Sequence, residues 1–429
     1  MNILMVTNTF TPHVGGVARS VQGFSNEFRR RGHRVLVVAP FFEGTPEQET
    51  DVVRFPALQH FSGSDFSVPV PVPGRVAAAL RAFSPHIVHS HHPFLLGDTA
   101  LRVAARHGIP VVFTHHTLYE NYTHYVPVDS PRLRRFVLDL TTGYCNLCHA
   151  VIAPSETVAE LLAERGVKVP IEVIPTGVDI PLYASGEGAS FRARMGIPGD
   201  ALLLGHVGRL AHEKNLRFLA AAVALFLRRH AEARFLVAGE GPALAEIRQA
   251  FDREGLSGRL HCAGVLGRRE LADAYHAMDI FAFASLTETQ GMVLTEAMAA
   301  GVPVVAVDAS GVREVVQEGV NGRLIPRAEA EEFAAALAWI ADLSPEGRRR
   351  LREGARQTAG DFSMAHTAGR ALALYQTLIG AGPAPKQRDP SPWRLARRSI
   401  AEEWKILRNI SHAVGDAVLS PFDGEETSP

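Results

Sequence analysis

The chain has 429 residues, 46% hydrophobic and 21% charged, enough apolar side chain for two or three packed domains, which excludes disorder as the default. Its 44 Lys and Arg balance 45 Asp and Glu, so no overall field draws the molecule to nucleic acid. Three cysteines cannot build a disulfide framework, MNILMVTNTF carries no marks of a secretory leader, and about 18 uninterrupted apolar residues occur nowhere; a cytoplasmic chain that does not span a membrane is expected.

Short β-branched runs alternate with amphipathic stretches from the first residue, the pattern of βαβ units and a parallel sheet. NILMVTNTF reads as the first strand, VARSVQGFSNEFRRRG as its crossover helix and HRVLVVAP as the second strand, with HIVHSH, IPVVFTHH and AVIAPS as later ones. The Gly-, Pro- and Ser-rich stretch from Ile174 to Gly196 breaks the alternation and reads as a linker. LLLGHVGRL, RFLVAGEG, RLHCAGV, DIFAFAS and VPVVAVD then begin a second series, so the fold class is α/β, with two Rossmann-like α/β/α domains in tandem.

MAHTAGRALALYQTLIG has helical spacing and should close the folded body, whereas GPAPKQRDPSP, with four prolines in eleven residues, is a linker. From Trp393 onward, Ala396, Ile400, Trp404, Leu407 and Val414 recur at helical intervals among Arg394, Arg397, Arg398, Lys405 and Arg408, which describes a basic amphipathic helix. Such a helix fits either a membrane surface or a seat on the protein body. The domains expected are 1–180, a linker at 181–197, 198–362, a closing helix at 363–381, a Pro-rich linker at 382–392 and the basic tail at 393–429.

Three motifs fall where parallel sheets collect ligands. In FTPHVGGVARSV, Gly15 and Gly16 precede a helix, and paired glycines let backbone N–H groups approach a phosphate; the same pair also suits an ordinary tight turn. In GRLAHEKN, Arg209 and Lys214 supply two positive charges after the first strand of the second series, or belong to a solvated loop. In TETQGMVLTEAMAAGVPVVAVD, a helix starting near Gly291 puts Glu288 in the preceding loop and Glu296 on its second turn, and aims the N–H groups of Gly291, Met292 and Val293 outward. A carboxylate accepts two hydrogen bonds and suits sugar hydroxyls; a capped helix with two solvent-facing acids is the plain alternative.

The Glu-x7-Glu spacing followed by AMAAGVPVVA, with GRLAHEKN and VAGEGP upstream and the Gly-Gly turn after the first strand, resembles the family 4 retaining glycosyltransferases of GT-B fold, from Met1 to about Gly380. The resemblance implies two Rossmann-like domains facing across a cleft: an N-terminal acceptor-binding domain and a C-terminal domain holding a nucleotide-diphosphate sugar, with the closing helix returning to the first. It implies a hexosyltransferase with no cofactor, in which Gly15 and Gly16 meet the diphosphate from the first domain and Arg209 and Lys214 from the second. Glu288 would hold the hexose and Glu296 the ribose, with backbone contacts from Gly291, Met292 and Val293; many members carry Phe where this chain has Gln290, whose role is open.

VHSHHPFLLGD and VVFTHHTLYENYTHY bring His89, His91, His92, His115 and His116 to strand ends. A metal site is the obvious alternative but lacks accompanying carboxylates, and no metal is expected. By resemblance His116 lies beside hexose and acceptor, with His91, Tyr119 and Tyr122 at the acceptor; Phe94 and Tyr125 add aromatic surface or plain packing. These segments and ETQG most resemble bacterial enzymes that glucosylate diacylglycerol, which implies UDP-glucose, a lipid acceptor and a peripheral place on the anionic inner face of the cell membrane, where Arg132, Arg134 and Arg135 would add charge. Cys145 and Cys148, in CNLC, read as small buried side chains. Asp-x-Asp occurs nowhere, so fixed cations and helix dipoles would stabilise the leaving diphosphate in a same-face displacement. A phosphorylase-like enzyme, a UDP-sugar epimerase and a non-catalytic sugar-nucleotide binder are the other readings.

Overall fold

The structure, a computed structural model, describes residues 1–13, 15–58, 68–69, 79–125, 130–381 and 392–419. The linker at 382–391 and the last ten residues therefore lie outside the described residues. The chain divides into two compact units, the first comprising Met1–Pro154, Val158–Ile174 and Ala368–Pro429, the second Ser155–Thr157 and Pro175–Thr367.

The first unit is built on seven strands: β1 (Asn2–Val6), β2 (Arg34–Pro40), β3 (Val52–Phe55), β4 (Ile87–Ser90), β5 (Val111–Thr114), β6 (Ala150–Ala153) and β7 (Ile171–Val173). They are parallel throughout, in the order β3-β2-β1-β4-β5-β6-β7. Ile3, Leu4 and Met5 are wholly buried, so β1 must be covered on both faces, the reason its sequence is an unbroken apolar run rather than an alternation. On one face Leu4, Val38, Val88 and Phe113 pack with Leu96 and Leu101 of α2 (Leu96–His107) and with Tyr144 and Cys145 of α3 (Pro131–Leu147). On the other, Phe24 and Phe28 of α1 (Gly16–Arg30) close over His89 and over Tyr375, carried by the helix at Met364–Ala381, whose rings stand edge-on to them.

The second unit has six parallel strands: β8 (Leu203–Val207), β9 (Arg234–Ala238), β10 (Leu260–Gly264), β11 (Ile280–Phe283), β12 (Val304–Val307) and β13 (Gly322–Ile325), ordered β10-β9-β8-β11-β12-β13. One face carries the helices Leu216–Arg229 and Ala330–Ala341; the other carries Arg268–Ala277 and Met292–Ala299. Each sheet reverses its strand order once, beside β1 and beside β8, so the loops following β1 and β4, and those following β8 and β11, flank the crevices where such sheets take ligands.

The stretch read as a linker is not bare chain. It holds short helices at Ile180–Tyr183 and Gly188–Arg194, whose Tyr183 and Phe191 are buried in the second core. Gly188 and Gly186 pass so near the backbone at His276 and Ala272 that a Cβ at either would collide, which is why a glycine-rich composition serves packing here rather than flexibility. Apart from HRVLVVAP, which ends with β2 at Pro40, the strand candidates run one to four residues past the observed C-terminal ends, into the loops that leave the sheet.

Candidate active site

In the second unit, the loop after β8 becomes a single turn of 3-10 helix, His212–Lys214, and the loop after β11 leads to the helix Met292–Ala299. The two loops converge through an ion pair: Lys214 Nζ lies 2.6 Å from Glu288 Oε1, each side chain less than one-fifth exposed. Arg209 pairs with Glu213 of the same loop. The two basic residues singled out in the sequence are thus held by acids, one of them the acid expected to meet the hexose.

Gly291 caps the helix with φ +73, in the left-handed region, and a Cβ there would come within 2.8 Å of Leu294. No side chain caps this N-terminus and no acidic residue occupies its first turn, so the N–H groups of Met292 and Val293 and the positive end of the dipole are presented without a built-in anion. Glu296, one turn on, is buried and accepts a hydrogen bond from Tyr275 at 2.9 Å. It is not the solvent-facing acid of the plain alternative.

Gln290 has a definite structural part. Its amide donates to the Thr176 carbonyl at 2.7 Å and accepts from the Thr176 N–H at 2.6 Å, as a neighbouring strand would, with the side chain 4% exposed. It fastens the segment before Val178 to the loop that carries Glu288.

His206, on β8, was not singled out in the sequence. Its Nδ1 faces the Ala282 carbonyl at 3.1 Å; a carbonyl only accepts, so the proton sits on Nδ1 and Nε2 is an acceptor. Burial, assisted by the Lys214 charge, pushes its pKa down to about 4, so the ring is neutral near pH 7. Among the described residues, its Nε2 and the hydroxyls of Ser285 and Thr287 are buried without a hydrogen-bond partner, the mark of a site built for a polar ligand or water. The one available signal was a histidine inside the apolar strand LLLGHVG, which more often marks a satisfied core residue.

In the first unit, Gly15 is the extended N-cap of α1, again with no side-chain cap, and Gly16 opens the helix. The histidines after β4 and β5 lie together and are largely buried. His89 bonds Tyr375 through Nδ1 and Thr114 through Nε2, both at 2.6 Å. His92 Nδ1 accepts the Asn8 N–H at 3.0 Å. Burial holds His89 and His92 down at about 3 and keeps His91 and His116 well below the ordinary imidazole value, so the cluster is neutral near pH 7.

One proton position can be followed along this cluster. His91 Nε2 lies 3.2 Å from the Met5 sulfur, and its Nδ1 lies 2.9 Å from His116 Nε2. A thioether only accepts, so the His91 proton belongs on Nε2; His91 Nδ1 then accepts from His116 Nε2, which makes His116 Nδ1 an acceptor. No group of three or more His, Cys, Asp or Glu suited to a metal occurs among the described residues. Tyr119 stands edge-on to Phe94 at 5.1 Å and lies in the 3-10 helix Tyr119–Tyr125; the side chains of Tyr122 and Tyr125 are outside the described residues. Cys145 and Cys148 are free and buried, the Cys145 thiol pushed up to about 12 by burial.

Comparison with known proteins agrees with this architecture. Residues 14–181 match the model "Glycosyltransferase Family 4" and residues 189–358 "Glycosyl transferases group 1". The alpha-monoglucosyldiacylglycerol synthase of Streptococcus pneumoniae is 30% identical over 71% of this chain and 71% of its own length. A GDP-mannose-dependent alpha-mannosyltransferase of Mycobacterium tuberculosis is 30% identical over 77% of this chain and 85% of its own. Among solved structures, Anabaena HepE in complex with UDP superposes with TM-score 0.69 at 22% identity, covering 88% of this chain and all of that one. Sucrose-phosphate synthase from Thermosynechococcus elongatus does so at 0.71 and 21%, covering 89% of this chain and all of that one. With two parallel Rossmann-like sheets of the GT-B type and these matches along both, the chain belongs to glycosyltransferase family 4 and is a glycosyltransferase.

Proposed function

We propose that this glycosyltransferase moves glucose from UDP-glucose to the hydroxyl of a diacylglycerol, with retention of anomeric configuration and without a metal ion. The observation that carries the reading is the Lys214–Glu288 pair beside the uncapped helix at Gly291. A nucleotide-diphosphate sugar supplies an anion for Lys214, Arg209 and the N–H groups of Met292 and Val293, and hydroxyls for the carboxylate of Glu288. Glu296 takes the ribose hydroxyls. In the first unit, the uncapped N-terminus at Gly15 and Gly16 is a second anion site, and His91, His116 and Tyr119 are assigned to the acceptor.

As the glycosidic C–O bond to the diphosphate breaks, the acceptor oxygen attacks from the same face and its proton passes to the departing phosphate oxygen. Lys214, Arg209 and the helix N-terminus stabilise the charge that develops there, the task a divalent cation performs elsewhere. Similarity to the synthase of Streptococcus pneumoniae named above favours diacylglycerol; similarity to the GDP-mannose-dependent alpha-mannosyltransferase favours GDP-mannose as donor, the second reading.

The test offers radiolabelled UDP-glucose and GDP-mannose to the full-length protein, with diacylglycerol vesicles or soluble saccharides, with and without EDTA. Labelled glucolipid formed equally in EDTA is the expected product, and Lys214→Ala should lower kcat by about 10²-fold or more in protein that still unfolds cooperatively. Glucose transfer only to soluble acceptors would remove the lipid assignment, and loss of product in EDTA the metal-independent one.

A further inference from the structure

The closing stretch of the chain forms one long helix, Pro392–Leu419, seated on the first unit rather than standing free. Glu402, Ile406, Ala413 and Ala417 are buried, Ile406 in the core with Tyr144 and Cys148. Asn409 donates to the Leu140 carbonyl, and Arg102 pairs with Glu403 at 2.5 Å. Glu402 lies near Cys148 while Asn409 reaches back to Leu140, so the helix runs antiparallel to α3, toward its Arg132, Arg134 and Arg135 end.

That packing accounts for one face only. Ile400, Trp404, Leu407 and Val414 are 60, 70, 53 and 47% exposed, and with Ile410 they are half of the exposed large hydrophobics among the described residues. At 3.6 residues per turn they fall in one stripe, centred roughly 130° round the axis from the buried positions. A helix whose only task was to cover α2 and α3 would carry polar residues there. Arg408 borders the stripe beyond Trp404, with His412 further round; Lys405 pairs with the buried Glu402 at 3.2 Å, Glu403 on the other border pairs with Arg102, and the exposed Asp416 lies beyond His412.

We infer that this outer stripe is a membrane-docking surface for an anionic bilayer, entered by Trp404, Leu407, Ile400 and Val414 with Arg408 against the lipid phosphates, an inference that rests on the lipid-acceptor reading above. An apolar stripe edged by cations is the form of an interfacial helix. A second copy laid antiparallel on it fits less well, because that pairing would bring the two Arg408 rims into like-charge contact. Being clamped to α2 and α3, the helix would hold the first unit at the surface in a set orientation.

The test uses full-length wild type, Trp404→Ser/Leu407→Ser and Arg408→Glu, none of them at the candidate active site. Co-sedimentation is measured, without donor, on phosphatidylcholine vesicles with and without phosphatidylglycerol, alongside oligomeric state, melting temperature and glucosyl transfer to a short-chain diacylglycerol in detergent. Wild type should bind phosphatidylglycerol vesicles, the double variant at least tenfold more weakly, and Arg408→Glu more weakly only on the anionic vesicles, with fold, oligomeric state and detergent activity unchanged. Equal binding by the double variant, no binding by wild type, or an oligomer that the double variant dissociates would overturn the inference. Stripe-dependent binding without any lipid product would leave the docking surface standing and remove the acceptor assignment.

Discussion

At the scale of single residues, the histidines show how burial turns a polar cluster into fixed hydrogen-bonding geometry. His89, His91, His92 and His116 all have pKa values driven down by desolvation, so each is neutral in the folded state and protonated near pH 6 and below when unfolded. The sign follows: a group depressed on folding makes the unfolded state bind more protons, so stability is full above about pH 6.5 and falls as the pH drops toward 3. His89 and His92, held at about 3, each add a slope approaching about 1.4 kcal/mol per pH unit in that window, and His91 and His116 act in the same direction. Urea titrations across it should show the decline, and a flat profile would count against the neutral cluster. Long-range ¹⁵N–¹H NMR of the imidazoles should find His91 and His116 both protonated on Nε2; a His116 proton on Nδ1 would refute the assignment from Met5. The strand-end histidines were visible in the sequence, but partners such as Met5 of β1, Asn8 just after it and Tyr375 of the helix at Met364–Ala381 lie at separations that no local pattern reports.

Among the elements, the loop from Ala284 to Gln290 and the helix it feeds carry most of the candidate site. The Glu-x7-Glu spacing was legible because it follows one helix start, and the structure places Glu288 before that start and Glu296 on the second turn. The buried Tyr275 bond to Glu296 and the Thr176 clamp on Gln290 were not, because their partners lie 21 and 114 residues away. Gln290→Ala removes both bonds of this buried clamp, a loss of about 1–3 kcal/mol. Chemical denaturation measures that loss, and KM for the donor should rise with it because the loop holding Glu288 loses its fastening. An unchanged midpoint with an unchanged KM would show that the clamp has no hold on the loop.

For the whole molecule, each unit has its own buried sheet, and the chain returns to the first unit after leaving the second, at Ala368. The final helix therefore belongs to the stability of the first unit. Ile406→Ala should lower it by about 2–4 kcal/mol, read by hydrogen exchange as faster opening of β4 and β5 with little change in β8 and β11. Uniform acceleration in both units would contradict that assignment.

The sequence by itself determined the α/β class, the two tandem series of strands, the glycines opening two helices and the residues on the loops between, because periodicity and turn chemistry are local. Tertiary structure alone decided which charges meet, as in Lys214 with Glu288, which polar atoms are left buried without partners, as in His206, and which face of the last helix is covered. Those outcomes depend on desolvation and on contacts between segments far apart in the chain, and neither is written in the spacing of residues along it.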